Sequence, residues 1–176
     1  MPIEGEAGDF LVLNYRDKDF LISRKQFSAS ASIEEVTSLR SRNPYFCQYT
    51  DYNEEKMLLC DLNRFLMDKY ETREDSESQV CLIIRLEDTF PPYEKILRKV
   101  LGQNKRFSQE VIGIIISSQA EIQQLPLEEM NLNPPGVDSL LQDHALLGSR
   151  FVEEGKIQFF IHLQKCLINI LRGKSL

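Results

Sequence analysis

Histidine is nearly missing from this chain of 176 residues, which has only His144 and His162, and glycine is sparse at eight. Neither histidine has a serine or cysteine neighbour of the kind that marks a nucleophile–base pair. Gly5 and Gly8 lack the flanking strand and helix that a phosphate loop requires. The four cysteines, Cys47, Cys60, Cys81 and Cys166, have no C-x-x-C spacing and no adjacent histidine, which argues against zinc or a redox pair. They read as reduced, buried, strand-filling side chains. The carboxylate pairs Glu34-Glu35 and Glu128-Glu129 are adjacent, so their side chains do not converge on one site for acid–base work. No catalytic residue, metal ligand or cofactor is expected, and an enzyme is the less favoured class.

Positive charge is also in short supply. Basic residues number 21 against 27 acidic, a net charge of −6. That balance disfavours a nucleic-acid partner or an anionic membrane surface. Arg98-Lys99 with Lys105-Arg106 is the one local basic candidate, and such pairs are most often a solvated helix face. No apolar run approaches the ~20 residues needed to span a bilayer, so no membrane insertion is expected. The opening residues are acidic, unlike a signal peptide. A cytoplasmic protein is the expectation.

What the chain does carry is a repeat. Leu58-Leu59-Cys60-Asp61-Leu62-Asn63-Arg64-Phe65-Leu66-Met67 returns as Phe159-Phe160-Ile161-His162-Leu163-Gln164-Lys165-Cys166-Leu167-Ile168. Each copy reads as a buried strand running straight into a helix, with Asp61 or His162 at the junction. Two related halves, or chance similarity between core segments, would both produce it. A polar side chain there satisfies backbone groups at the helix entrance.

Around the repeat, residues 1–8 read as an unstructured lead. Residues 10–15 and 20–22 read as hairpin strands across a polar turn. The small, polar stretch 28–32 is a weakly specified strand, and Ser32 with Glu35 suggests one capped helical turn. Residues 45–49 and 56–60 read as strands about an Asp51 to Glu55 turn, and the first repeat helix as about 61–70. Residues 71–78 are acidic and serine-bearing, the clearest linker in the chain. Residues 80–86 and 111–116 are apolar enough for strands buried on both faces. Between them Pro91-Pro92 and Gly102 bracket an amphipathic helix with Tyr93, Ile96, Leu97, Val100 and Leu101 on one face. Residues 121–125 and 151–152 are weaker strands around a turn-rich 134–136. Many short strands and few helices predict a mainly β protein.

These segments together resemble the CheW family, the chemotaxis adaptors that couple receptors to a histidine kinase. Residues 56–66 are similar to its V-V-P-V-I-D-L-x-x-x-L segment. Gly113-Ile114-Ile115-Ile116 through Glu121-Ile122 resembles G-L-V-V-D-x-V-x-E-V, with Ser117 in place of the aspartate. The resemblance implies one domain over 1–176, built from two SH3-like five-stranded β-barrels. Its subdomains would cover about 9–70 and 79–176, joined at 71–78, with the terminal strands free to exchange. The helix near 91–102 looks like an insertion, expected to dock on this chain rather than on a partner.

By resemblance the function is a non-enzymatic scaffold between a chemoreceptor's cytoplasmic tip and the regulatory domain of a CheA-type histidine kinase. The alternatives are a CheW-like protein with another partner in a motility or signalling system, and a small β-barrel enzyme. The family's exposed N-L-R-G loop falls on Asp51-Tyr52-Asn53-Glu54, so its arginine is replaced by Asn53 and its glycine by Glu54. Partner contact is expected at Tyr49, Asp51, Tyr52, Asn53 and Glu54, with the tyrosines as aromatic anchors.

Overall fold

The computed structural model describes residues 7–15, 18–70, 79–117, 121–126, 146–151 and 157–173. In chain order they form β1 (Ala7–Tyr15), β2 (Lys18–Ser23), β3 (Ala29–Ser32), β4 (Thr37–Ser38), β5 (Gln48–Tyr52), β6 (Glu55–Asp61) and α1 (Leu62–Tyr70). Then come β7 (Gln79–Arg85), α2 (Pro91–Gly102), β8 (Val111–Ser117), β9 (Glu121–Pro126), β10 (Leu146–Phe151), β11 (Ile157–Ile161) and α3 (Leu163–Gly173). The chain is mainly β, as its short apolar runs predict.

Contacts divide it into a terminal unit, Met1–Gln26 with Gln119–Cys166, and a central unit, Phe27–Ser118 with Leu167–Leu176. This differs from a sequential division at 71–78, a stretch that lies outside the described residues. The physical reason is non-local pairing: β1 pairs with β9 and β2 with β11, which draws the N-terminal hairpin to the far end of the chain.

The terminal unit's sheet runs β10-β11-β2-β1-β9, and the central unit's runs β3-β7-β8-β6-β5-β4. Leaving aside the two-residue β4, the two orders are equivalent strand for strand. β11 and β6 each pair antiparallel with the preceding strand and parallel with the next strand of the sheet, β2 or β8. β2–β1–β9 and β8–β7–β3 are antiparallel throughout. Among the described residues each half is therefore strand–strand–strand–helix–strand–strand, and the second half is completed by the N-terminal strands β1 and β2. The repeated segments fall at equivalent places, β6–α1 in one half and β11–α3 in the other.

Register agrees as well. Gln48, Leu59, Gly113, Ile83 and Ala29 lie side by side across the central sheet. Gly148, Phe160, Leu21, Val12 and Glu121 do so across the terminal one. The cores match too: Phe10, Val12, Leu21 and Phe160 cluster in the terminal unit. Met57, Leu59, Cys81, Ile83 and Ile115 cluster in the central one. In this scheme β7 to β8 corresponds to β1 to β2, so α2 sits where the terminal unit turns directly from one strand to the next.

Each repeat helix begins on the polar residue that the sequence marks. Asp61 Oδ1 accepts from the Arg64 N–H at 2.8 Å, and His162 Nδ1 accepts from the Lys165 N–H at 3.3 Å. Both caps satisfy a donor that the first helical turn leaves unpaired. The terminal unit adds a second clamp, because Gln26 donates to the Ile161 carbonyl and accepts from the Leu163 N–H, both at 2.7 Å. Leu62, Phe65 and Leu66 of α1 are buried, as are Leu163, Cys166, Leu167, Ile168 and Ile170 of α3. In the central unit Asn43 is fully buried and ties the 41–46 loop to α3, donating to the Ile170 carbonyl at 3.2 Å and accepting from the Tyr45 N–H at 3.0 Å.

Several local expectations change. Residues 33–36 form no helical turn: Ile33 and Val36 pack on the central core, and Thr50 Oγ1 donates to the Glu35 carbonyl at 2.7 Å, holding the segment beside β5. Ala7 and Gly8 belong to β1 because β9 supplies their partners. The strand expected at 45–49 is shifted to Gln48–Tyr52, because Pro44 and Tyr45 are held in a turn by Asn43. Cys166 fills a helix rather than a strand. His144, the 134–136 turn and Val152 lie outside the described residues.

Candidate partner-binding site

β5 and β6 form a hairpin with Tyr52 opposite Glu55, so its turn is only Asn53-Glu54. Both turn residues are left-handed, with φ of 49° and 66°. A two-residue hairpin of this kind matches the right-handed twist of its strands, and asparagine suits its first position. Its second position favours glycine, and a glutamate there costs about 1 kcal/mol. The φ of 66° falls at the residue where the CheW resemblance places the family's glycine.

Alternation sends the five expected contact residues in different directions. Asp51, Asn53 and Glu54 are exposed. Tyr52 is half-buried against the Met57, Leu59, Cys81, Ile83 and Ile115 cluster. Tyr49 faces the other way, its ring 5.7 Å from that of Phe107 and 5.4 Å beneath Lys56 Nζ. Both tyrosines are therefore committed to this chain's own packing. Replacing Tyr52 would disturb the core as well as any contact. Glu55 and Lys56 at the start of β6 are exposed beside the turn.

Grooves flank the hairpin. One is polar, lined by Ser32, Glu34, Glu35, Thr37, Thr50 and Asp51. On the other side the stretch after α2 runs beside β6, with the Ser108 N–H donating to the Lys56 carbonyl at 2.8 Å. The helix is docked on its own unit, with Leu97 and Leu101 buried. Arg98 bonds Glu94 at 2.7 Å and the Gln109 carbonyl at 3.2 Å, and Gln109 in turn donates to the Leu101 carbonyl at 3.0 Å. Self-docking is the expected outcome for an amphipathic helix too short to persist alone.

The shifted titratable groups follow packing. Burial pushes the Cys81 and Cys166 thiols up to about 12, which keeps them protonated and unreactive. Desolvation, with Lys165 nearby, lowers the His162 pKa from its ordinary 6.5. The folded chain therefore favours neutral His162, whose Nδ1 can accept the capping bond. Its stabilising contribution is present above pH 6.5 and is lost as pH falls through and below that value. His162→Asn keeps a cap without titration. Denaturation midpoints of the parent should fall more steeply than those of this variant between about pH 7.5 and 5.5. Equal slopes would refute the cap; His144, common to both, cancels.

The arrangement defines a class: a β protein of two topologically equivalent halves, each with a strand-into-helix junction, and an exposed hairpin turn on the central half. No family model and no curated protein matches the chain. Its fold is similar to that in the crystal structure of scaffolding protein TtCheW from Thermoanaerobacter tengcongensis. The TM-score is 0.58 at 12% identity, over 91% of this chain and 87% of that one. The two sheets and few short helices are those of the CheW-like fold. No described helix is long and apolar enough to cross a membrane.

Proposed function

We propose that this protein is a non-enzymatic scaffold of the CheW type. It would hold a chemoreceptor's cytoplasmic tip and the regulatory domain of a CheA-type histidine kinase in one cytoplasmic assembly. The observation that carries this reading is the fold likeness over 91% of the chain. A scaffold needs exposed, geometrically fixed surface rather than reactive groups. Asp51, Asn53 and Glu54 offer such a surface at a rigid turn, supported from behind by Tyr49 and Tyr52. One observation favours a second reading, a CheW-like protein with a different partner. Where the family has arginine, Asn53 brings no charge, and Glu54 adds a negative one; asparagine cannot replace five guanidinium donors.

A three-way pull-down of this chain with a receptor cytoplasmic fragment and a CheA-type kinase tests both readings. The scaffold reading expects this chain to be required for receptor and kinase to be recovered together. The double substitution Asn53→Arg, Glu54→Gly restores the family's loop chemistry, and its glycine suits the left-handed turn. Recovery only with the double variant would assign the natural protein to a different partner. Failure of both proteins to recover either component would remove the scaffold reading.

A further inference from the structure

The insertion that carries α2 does more than cover its own unit. Between it and the segment before β5 lies a cleft of about 220 Å³, lined by the partly exposed Leu39 and Val100 over the buried Leu58, Leu101 and Phe107, and edged by Arg40 and Arg106. Both arginines are exposed. Among the described residues neither has a carboxylate within ion-pair distance, and Arg106 bonds only Asn104, at 3.2 and 3.4 Å. Arg42 and Lys105, their near neighbours in sequence, are likewise exposed and unpaired among the described residues. Unpaired cations beside an apolar floor stand out in a chain of net charge −6.

Size and charge together select the occupant. Pockets for small molecules and cofactors usually occupy about 300–1,000 Å³, so this cleft suits a single side chain. Two guanidiniums at its edge match carboxylates with planar, multi-donor geometry. A nucleic acid would need a longer positive surface than this acidic protein offers. We infer that the cleft binds an acidic peptide segment of a partner protein. One aromatic side chain would enter against Leu39 and Val100, with flanking carboxylates on Arg40 and Arg106. The proposal does not depend on the scaffold reading.

The test uses the full chain and the fluorescein-labelled peptide Glu-Glu-Phe-Glu-Asp, followed by fluorescence anisotropy. Saturable binding is expected, weakened about tenfold or more by Arg40→Glu or Arg106→Glu. The same peptide with alanine for phenylalanine should bind no better than the charge-reversed variants do. Both arginines are exposed, so the variants should keep the parent's melting temperature. Absence of saturation, or equal affinity of parent and variants, overturns the proposal. So does equal competition by a single-stranded oligonucleotide, which would make the arginines a generic anion patch.

Discussion

Gly113→Ala is expected to destabilise the protein by about 1–3 kcal/mol, the usual cost of forcing extra volume into a packed core. A Cβ at Gly113 would lie 2.6 Å from both Cys81 Sγ and Leu59 Cδ2, and 2.9 Å from Met57 Cε. Met57 can swing its terminal methyl away, but Leu59 and Cys81 are short side chains held at 1% exposure. The glycine is thus required by close approach, in a strand where it otherwise weakens packing. The terminal unit has Leu21 at the equivalent place. There Phe160 and Val12 flank it, and Gln158, the equivalent of Met57, bonds Asp19 at 3.2 Å. Chemical denaturation followed by far-ultraviolet circular dichroism measures the loss. Adding Cys81→Ala to Gly113→Ala should recover part of it, with a coupling of about 0.5–3 kcal/mol. A Gly113→Ala protein as stable as the parent would show that the central sheet is not packed as described.

The second large effect is at the repeat helices. Phe65→Ala should cost about 3–5 kcal/mol and Leu167→Ala about 2–5 kcal/mol, combining lost burial with the cavity left behind. Phe65 is 5% exposed and meets Tyr45 edge-on, ring centroids 5.3 Å apart and planes at 87°. Leu167 is 1% exposed. Its equivalent in the first copy is Leu66, also buried. Denaturation midpoints and slopes for both variants decide the matter. A cost below about 1 kcal/mol at either site would mean surface rather than core, because exposed positions rarely matter more. That result would break the equivalence of the halves.

The contrast between legible and illegible features follows from how far apart the interacting groups lie. Local chemistry could be read directly. Pro91 opens α2 because proline lacks a helix-interior donor, and Gly102 is its last helical residue. Asp61 and His162 announce their helices because each caps its own next turn. The run 80–86 reads as β7 because it is nearly continuously apolar, broken only by Arg85. The family's glycine position could also be compared, but only the backbone angle at Glu54 explains why glycine belongs there.

Pairing could not be read, because an apolar strand carries no label for its neighbour. Nothing local to residues 10–22 indicates that they complete a half begun at residue 119, yet β9 and β11 take them. The faces of Tyr49 and Tyr52 depended on the register of β5, which a shift of one residue reverses. Arg40 and Arg106 are far apart in the chain and meet at one cleft only because the insertion folds back beside β6. The sequence by itself determined the mainly β class, the repeated strand-into-helix units and the limits of the inserted helix, all set by interactions within a few residues. Tertiary structure alone decided which strands share a sheet, which side chains remain exposed for a partner, and where free cations gather, because those depend on contacts closed across the length of the chain.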